Sequence, residues 1–172
     1  MKKFLAVFDH AMNFMSLLAC LILVFIMLSV CLEVVLRYFF NHPLVWVTEV
    51  TECLLLYVTF LGAAWLLREE GHVKVDIIVN RLKPNKVAFF GILTSMIGGF
   101  VSITLTVLGF KLTWHYFQRG MYTPTAMEIP VSIIIVIIPI GSLMLFVQFM
   151  RRTVIFTTGF LIETKKASLE KK

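Results

Sequence analysis

Apolar residues fall in four long blocks along this chain, and charged residues crowd into the joints between them. The blocks run over residues 11–32, 46–67, 87–110 and 129–150, and Glu49 and Glu52 are the charges inside them. At a rise of ~1.5 Å per residue each block is long enough to cross a hydrocarbon core of ~30 Å as a helix. The pattern therefore predicts an all-α integral membrane protein with four transmembrane helices, over about 11–36, 46–67, 87–110 and 129–150. Residues 1–152 are expected to form one membrane domain, followed by a basic tail over 153–172.

The joint between the second and third blocks has its own pattern. As a helix over about 72–83, it would place His72, Asp76, Asn80 and Lys83 on one face and Val75, Ile78, Val79 and Leu82 on another. Alternation through Val73, Val75 and Ile77 also fits a strand. A lone strand at a membrane surface leaves its backbone unpaired, so the expectation is an interfacial amphipathic helix ended by Pro84. Its place in the headgroup plane would resist tilting of the bundle. At the amino terminus, Phe4, Leu5 and Phe8 against Lys2, Lys3 and Asp9 predict a short interfacial lead into the first span.

The third block carries Gly91, Ser95, Gly98, Gly99 and Ser102, small residues whose spacing lets helix backbones approach closely, within the bundle or against another subunit. The fourth opens on Glu128, Ile129 and Pro130; Pro130 suits a first helical turn, and Pro139 predicts a kink. Trp46, Trp65 and Trp114 fall near span ends, where an aromatic belt belongs.

Composition agrees with the membrane reading, since 59% of the 172 residues are hydrophobic and 16 are Phe. The formal charge of +6 would suggest a nucleic-acid partner in a soluble protein. Here it reads as an orientation signal, and no nucleic-acid partner is expected. Of the 16 Lys and Arg, only Arg37, Lys111 and Arg119 belong to the side bearing the first and third joints. The positive-inside rule therefore places both termini and the middle joint in the cytoplasm. Lys2 and Lys3 ahead of an apolar run resemble a signal peptide, and Leu17-Leu18-Ala19-Cys20 a lipoprotein cleavage box. The apolar run continues past Cys20 to Leu32, too long for a signal core, so an uncleaved span is expected.

Candidate chemistry is sparse. Cys20, Cys31 and Cys53 lie within spans with no C-x-x-C pair, which argues against disulfide exchange. His10, His42, His72 and His115 lie at or near span edges, a poor fit for haem ligation across helices. Neither a catalytic set, a metal site nor a cofactor is expected. The carboxylates at or near membrane depth are more informative, because a charge there costs several kcal/mol unless paired. Glu33 stands one turn before Arg37, an order that favours pairing within the helix. Glu49 and Glu52 open the second span near its positive dipole end, so an Arg37 bridge to either would lock the first two helices. A structural ion pair is the expected role, with a proton or ion site as the alternative.

The run Arg37-Tyr38-Phe39-Phe40-Asn41-His42-Pro43-Leu44-Val45-Trp46 is followed by Glu49, by Phe60-Leu61-Gly62-Ala63-Ala64, by Arg68 and by Gly71-His72-Val73-Lys74-Val75-Asp76. Further on stand Tyr122-Thr123-Pro124-Thr125-Ala126-Met127-Glu128-Ile129-Pro130 and Ile138-Pro139-Ile140-Gly141. In this order, over roughly residues 15–150, they resemble the small membrane subunit of tripartite ATP-independent periplasmic (TRAP) transporters. The tail after Arg152 fits no part of that pattern.

The resemblance implies an obligate complex with a large, many-helix membrane subunit in a bacterial inner membrane. A periplasmic binding protein would deliver an organic acid, of the C4-dicarboxylate or sialic acid class, to the pair. Uptake would be driven by an ion gradient, with sodium expected to bind the large subunit. Because the chain ends after its tail, a separate rather than fused partner is expected. This subunit would be a non-catalytic scaffold, and the four spans show no inverted repeat or broken half-helices of the kind that build a midplane site. Arg37, Glu49, Glu52, His72, Asp76 and Glu33 are the candidate structural or partner-contact residues, and membrane lipid surrounds the remainder. A small four-helix multidrug antiporter and a stand-alone membrane structural protein are the competing classes. The antiporter is shorter and keeps its glutamate in mid-span, whereas Glu33 sits near a span end.

Overall fold

A computed structural model describes the backbone of residues 2–69 and 84–169, and the side chains of residues 7–69 and 90–158. The expected interfacial helix, with His72 and Asp76, lies outside the described residues. Five helices account for most of the rest: α1 (Lys2–Phe39), α2 (Val45–Arg68), α3 (Pro84–Arg119), α4 (Val131–Ile135) and α5 (Ile137–Leu169). Among the described residues, four stretches are long and apolar enough to cross a membrane: Val7–Phe39, Val45–Arg68, Phe90–Arg119 and Val131–Thr158. These match the four predicted blocks, so the chain is an all-α, multi-pass membrane protein. The helices outrun the blocks, α1 reaching 38 residues and α3 36, because the flanking residues continue the backbone ladder at no desolvation cost. Residues 153–169 continue α5 as helix.

α1 packs on α2, α2 on α5, and α3 on α4 and α5. The main seams therefore follow the order α1, α2, α5, α3, with side chains of α1 also reaching α5. The inward stripe of α1 runs through Phe8, Met12, Met15, Ala19, Ile22, Ile26, Ser29, Glu33 and Leu36. Its alternating four- and three-residue steps are the 3.5 repeat that keeps one seam against a neighbouring helix. Much of the remaining α1 surface is bare: Phe14, Leu17, Leu21, Phe25 and Leu28 are all exposed.

The α3–α5 seam is built differently. Gly91, Ser95, Gly98, Ser102, Thr106, Gly109 and Thr113 make one stripe of small residues on α3. Into it fit Phe149 opposite Gly98, Phe156 opposite Gly91 and Pro139 opposite Gly109. The hydroxyls cost little, because Ser95, Ser102, Thr106 and Thr113 each donate to the carbonyl four residues back, at 2.7–2.8 Å. The expected close approach is thus made inside the chain.

One tight contact joins the two hairpins. A Cβ on Gly141 of α5 would lie 2.8 Å from the Phe60 carbonyl oxygen of α2, so glycine is required by backbone proximity. Around it Met15, Ala19, Leu61 and Ile137 form one buried cluster, and Phe8, Met12 and Ala64 form another toward the termini. The kink at Pro139 appears as the break between α4 and α5 at Val136. Proline has no N–H for the carbonyl of Ile135, and its ring crowds that carbonyl. At the break the Tyr57 hydroxyl donates to the Ile133 carbonyl at 2.5 Å, tying α2 to the opened turn. Pro130 stands one residue before α4, in an extended conformation (φ −59°, ψ 121°), rather than inside its first turn.

Replacing Gly141 by Leu is expected to lower the melting temperature of the detergent-purified protein by the equivalent of about 1–3 kcal/mol, the usual cost of overpacking. Gly62→Ala, where an added Cβ meets nothing within 4 Å, should leave it unchanged.

Candidate partner surface and its polar anchors

Polar side chains hold the bundle at its two ends. At the end carrying the helix starts of α1 and α3, Arg151 Nη1 of α5 donates to Asp9 Oδ1 of α1 at 2.6 Å. The same guanidinium lies 5.6 Å from the centre of the Phe8 ring. Arg68, the last residue of α2, donates through Nη2 to Asn13 Oδ1 at 2.6 Å and through Nη1 to the Asp9 carbonyl at 3.4 Å. It also pairs with Glu69 at 3.0 Å. Three helices thus meet through two guanidinium groups, Arg151 on the Asp9 carboxylate and Arg68 on the Asn13 side chain and the Asp9 carbonyl, and their planar forks suit several acceptors at once.

At the opposite end the α3–α4 loop is folded on itself. Thr123 N–H donates to the Ile129 carbonyl at 3.0 Å, and Val131 N–H to the Met121 carbonyl at 3.1 Å. The Thr123 hydroxyl accepts from Ile129 N–H at 3.0 Å and shares a hydrogen bond with the Thr125 hydroxyl at 2.8 Å. The turn needs positive φ at Gly120 (55°) and at Glu128 (45°). Its tip is clamped by Glu49, whose two carboxylate oxygens accept from Ala126 N–H at 3.0 Å and Met127 N–H at 3.1 Å. A carboxylate accepting two amide donors is among the stronger hydrogen-bond arrangements.

The expected Arg37 bridge to Glu49 or Glu52 does not form. Arg37 pairs with Glu33 of its own helix at 3.7 Å and lies 5.5 Å from the Tyr38 ring centre. The reason is the helix order. Glu49 and Glu52 lie on the side of α2 turned toward the α3–α4 loop, where with Cys53, Leu56, Thr123, Thr125, Ile129 and Ile134 they line a cleft of about 330 Å³. Glu52 is exposed there and has no charged partner among the described residues.

The anchors Asp9, Asn13 and Arg151 were not among the sequence candidates, and Arg68 entered only through a motif. The available signal was Asp9, a lone acid at the mouth of an apolar run with Arg68 and Arg151 closing two others.

Four spans with polar anchors at each end and wide bare apolar faces between them describe a helical membrane subunit. Residues 26–157 match the family described as Tripartite ATP-independent periplasmic transporters, DctQ component, and the chain belongs to that family. It is 29% identical over 108 residues to the C4-dicarboxylate TRAP transporter small permease protein DctQ of Rhodobacter capsulatus, covering 63% of this chain and 47% of that relative. It is 35% identical over 107 residues to a putative TRAP transporter small permease protein of Haemophilus influenzae, covering 62% of this chain and 64% of that one. Less than two thirds of either relative is spanned. A stretch of 58 residues, 34% of this chain, is 34% identical to 9% of the sialic acid TRAP transporter permease protein SiaT of Haemophilus influenzae.

Glu49→Gln should speed hydrogen exchange at the Ala126 and Met127 amides by about tenfold or more, as a bond to a charged acceptor is lost. Arg37→Ala should leave both unchanged. In a double-mutant cycle on melting temperature, Asp9→Asn and Arg151→Gln should show coupling of about 0.5–3 kcal/mol.

Proposed function

We propose that this chain is a non-catalytic scaffold subunit of a secondary active importer, working beside a large membrane subunit that carries the substrate and coupling-ion sites. The observation that carries this reading is where its charged groups are spent. Asp9, Arg68 and Arg151 bind one another's helices, Glu33 takes Arg37, and Glu49 takes the 121–130 loop. Anchors of this kind make a rigid post, and the bare faces of α1 and α3 supply area for a neighbour or for lipid.

Membership of the family supports the remaining parts of the reading. A periplasmic binding protein delivers an organic acid, and a sodium gradient drives its uptake. The relatives' names favour the C4-dicarboxylate or sialic acid class. The uneven distribution of Lys and Arg supports an inner-membrane topology with both termini in the cytoplasm. In this frame Asp9, Arg68 and Arg151 anchor the cytoplasmic end, and Glu49 holds a periplasmic loop.

Affinity purification of the tagged chain in mild detergent should bring down a large polytopic permease in stoichiometric amount. Vesicles holding both subunits, with the binding protein outside, should accumulate the acid only under an inward sodium gradient. Recovery of the chain alone as a stable homo-oligomer would overturn the scaffold reading and favour the antiporter or stand-alone class.

A further inference from the structure

On the loop end of the bundle, α3 and the α4–α5 break leave an open groove of about 980 Å³ between them. Thr106, Phe110 and Phe117 form one wall, with Pro130, Val136 and Leu143 on the other, and nearly all of the lining is carbon. From Thr106 to Phe117 the helical rise gives a length of about 17 Å, close to the depth of one leaflet of a ~30 Å core.

Lys111 lies in this otherwise apolar wall. Among the described residues no carboxylate pairs with it. A lysine at that depth lays its stem along the apolar wall and carries its ammonium toward the headgroups, where it needs an anion. Trp114, in the same wall one turn closer to the helix end, sets an indole at the level where such rings meet the interface. A protein helix in the groove would have to bring a carboxylate into the membrane to satisfy Lys111. A phospholipid has its phosphate at the required level already, above a chain that an apolar channel accepts without desolvation cost. On α1 the cation at this end, Arg37, is already paired with Glu33.

We propose that the groove seats one phospholipid of the adjoining leaflet, with its phosphate on the Lys111 ammonium and an acyl chain along Phe110, Ile140 and Leu143. The lipid fills the gap between α3 and the kinked helix. A net negative headgroup is preferred over a zwitterionic one by about fivefold, as expected for a single lysine near the membrane surface.

The test uses the full chain, purified with whatever remains bound to it and reconstituted into vesicles. These contain a minor fraction of phosphatidylglycerol or phosphatidylcholine with a photoactivatable acyl chain. Adducts on residues 106–117 and 130–143 are measured by mass spectrometry against adducts on residues 14–28 of α1, which report bulk lipid. The groove-to-α1 ratio should be about fivefold higher for phosphatidylglycerol and should equalise in Lys111→Gln. Leu143→Trp, which fills the deep end, should lower groove adducts for both lipids and spare those on α1. Equal ratios for the two headgroups in the unmodified chain would overturn the proposal, even if a variant failed to assemble. So would a preference that survives Lys111→Gln.

Discussion

The approach of Gly141 to the Phe60 carbonyl brings two helical hairpins together at the middle of the bundle. α1 and α2 form one pair, α3 and the kinked α4–α5 form the other, and α2 against α5 is the principal seam between them. Within lipid there is little hydrophobic force to drive that seam, since the alternative environment is equally apolar. Close packing supplies it in the middle, where a missing Cβ admits a backbone, and charge-assisted hydrogen bonds supply it at the ends. Asp9 with Arg151, and Glu49 with the loop amides, cross between the hairpins on opposite sides of the bilayer. The result is a bundle braced at three levels.

This bracing suits the scaffold role proposed above. A subunit that must stay still while a neighbour moves needs few internal degrees of freedom and no mobile charge in its core. The hydroxyls buried along α3 are satisfied within their own helix. The break at Val136, which would otherwise be a hinge, is tied to α2 by the Tyr57 hydroxyl. The long bare faces of α1 and α3 are what an all-helical membrane subunit offers to lipid and to partner helices. The groove beside Lys111 adds a concave place where a single lipid completes the packing.

Much of this was legible in the chain. Local signals carry local consequences: apolar block length gave the four spans, Pro139 gave the kink, and Gly91 and Gly98 gave a close helix contact. Glu33 beside Arg37 gave an ion pair within one helix. The continuation of the small seam through Thr106, Gly109 and Thr113 was readable too, but threonine resembles any other span residue until its face is known. The Arg37 bridge does not form although α1 and α2 are neighbours, because Glu49 and Glu52 stand on the side of α2 turned toward the α3–α4 loop. The side of α2 bearing Glu49 and Glu52 is set by which helix comes to lie there, and that is α4 with its loop.

By itself, the sequence determined the elements and their membrane setting, because helix length, kinks and burial of the backbone ladder depend on residues a few positions apart. The tertiary structure decided the partners of the charged groups. Asp9 meets an arginine 142 residues away, and Glu49 meets amides 77 and 78 residues away. Such pairs follow from the packing order of the helices, in which α5 meets α1 as well as α2 and the α3–α4 loop meets α2. That order is set by which seams pack most closely, a global comparison that no local pattern of hydrophobic and polar positions encodes.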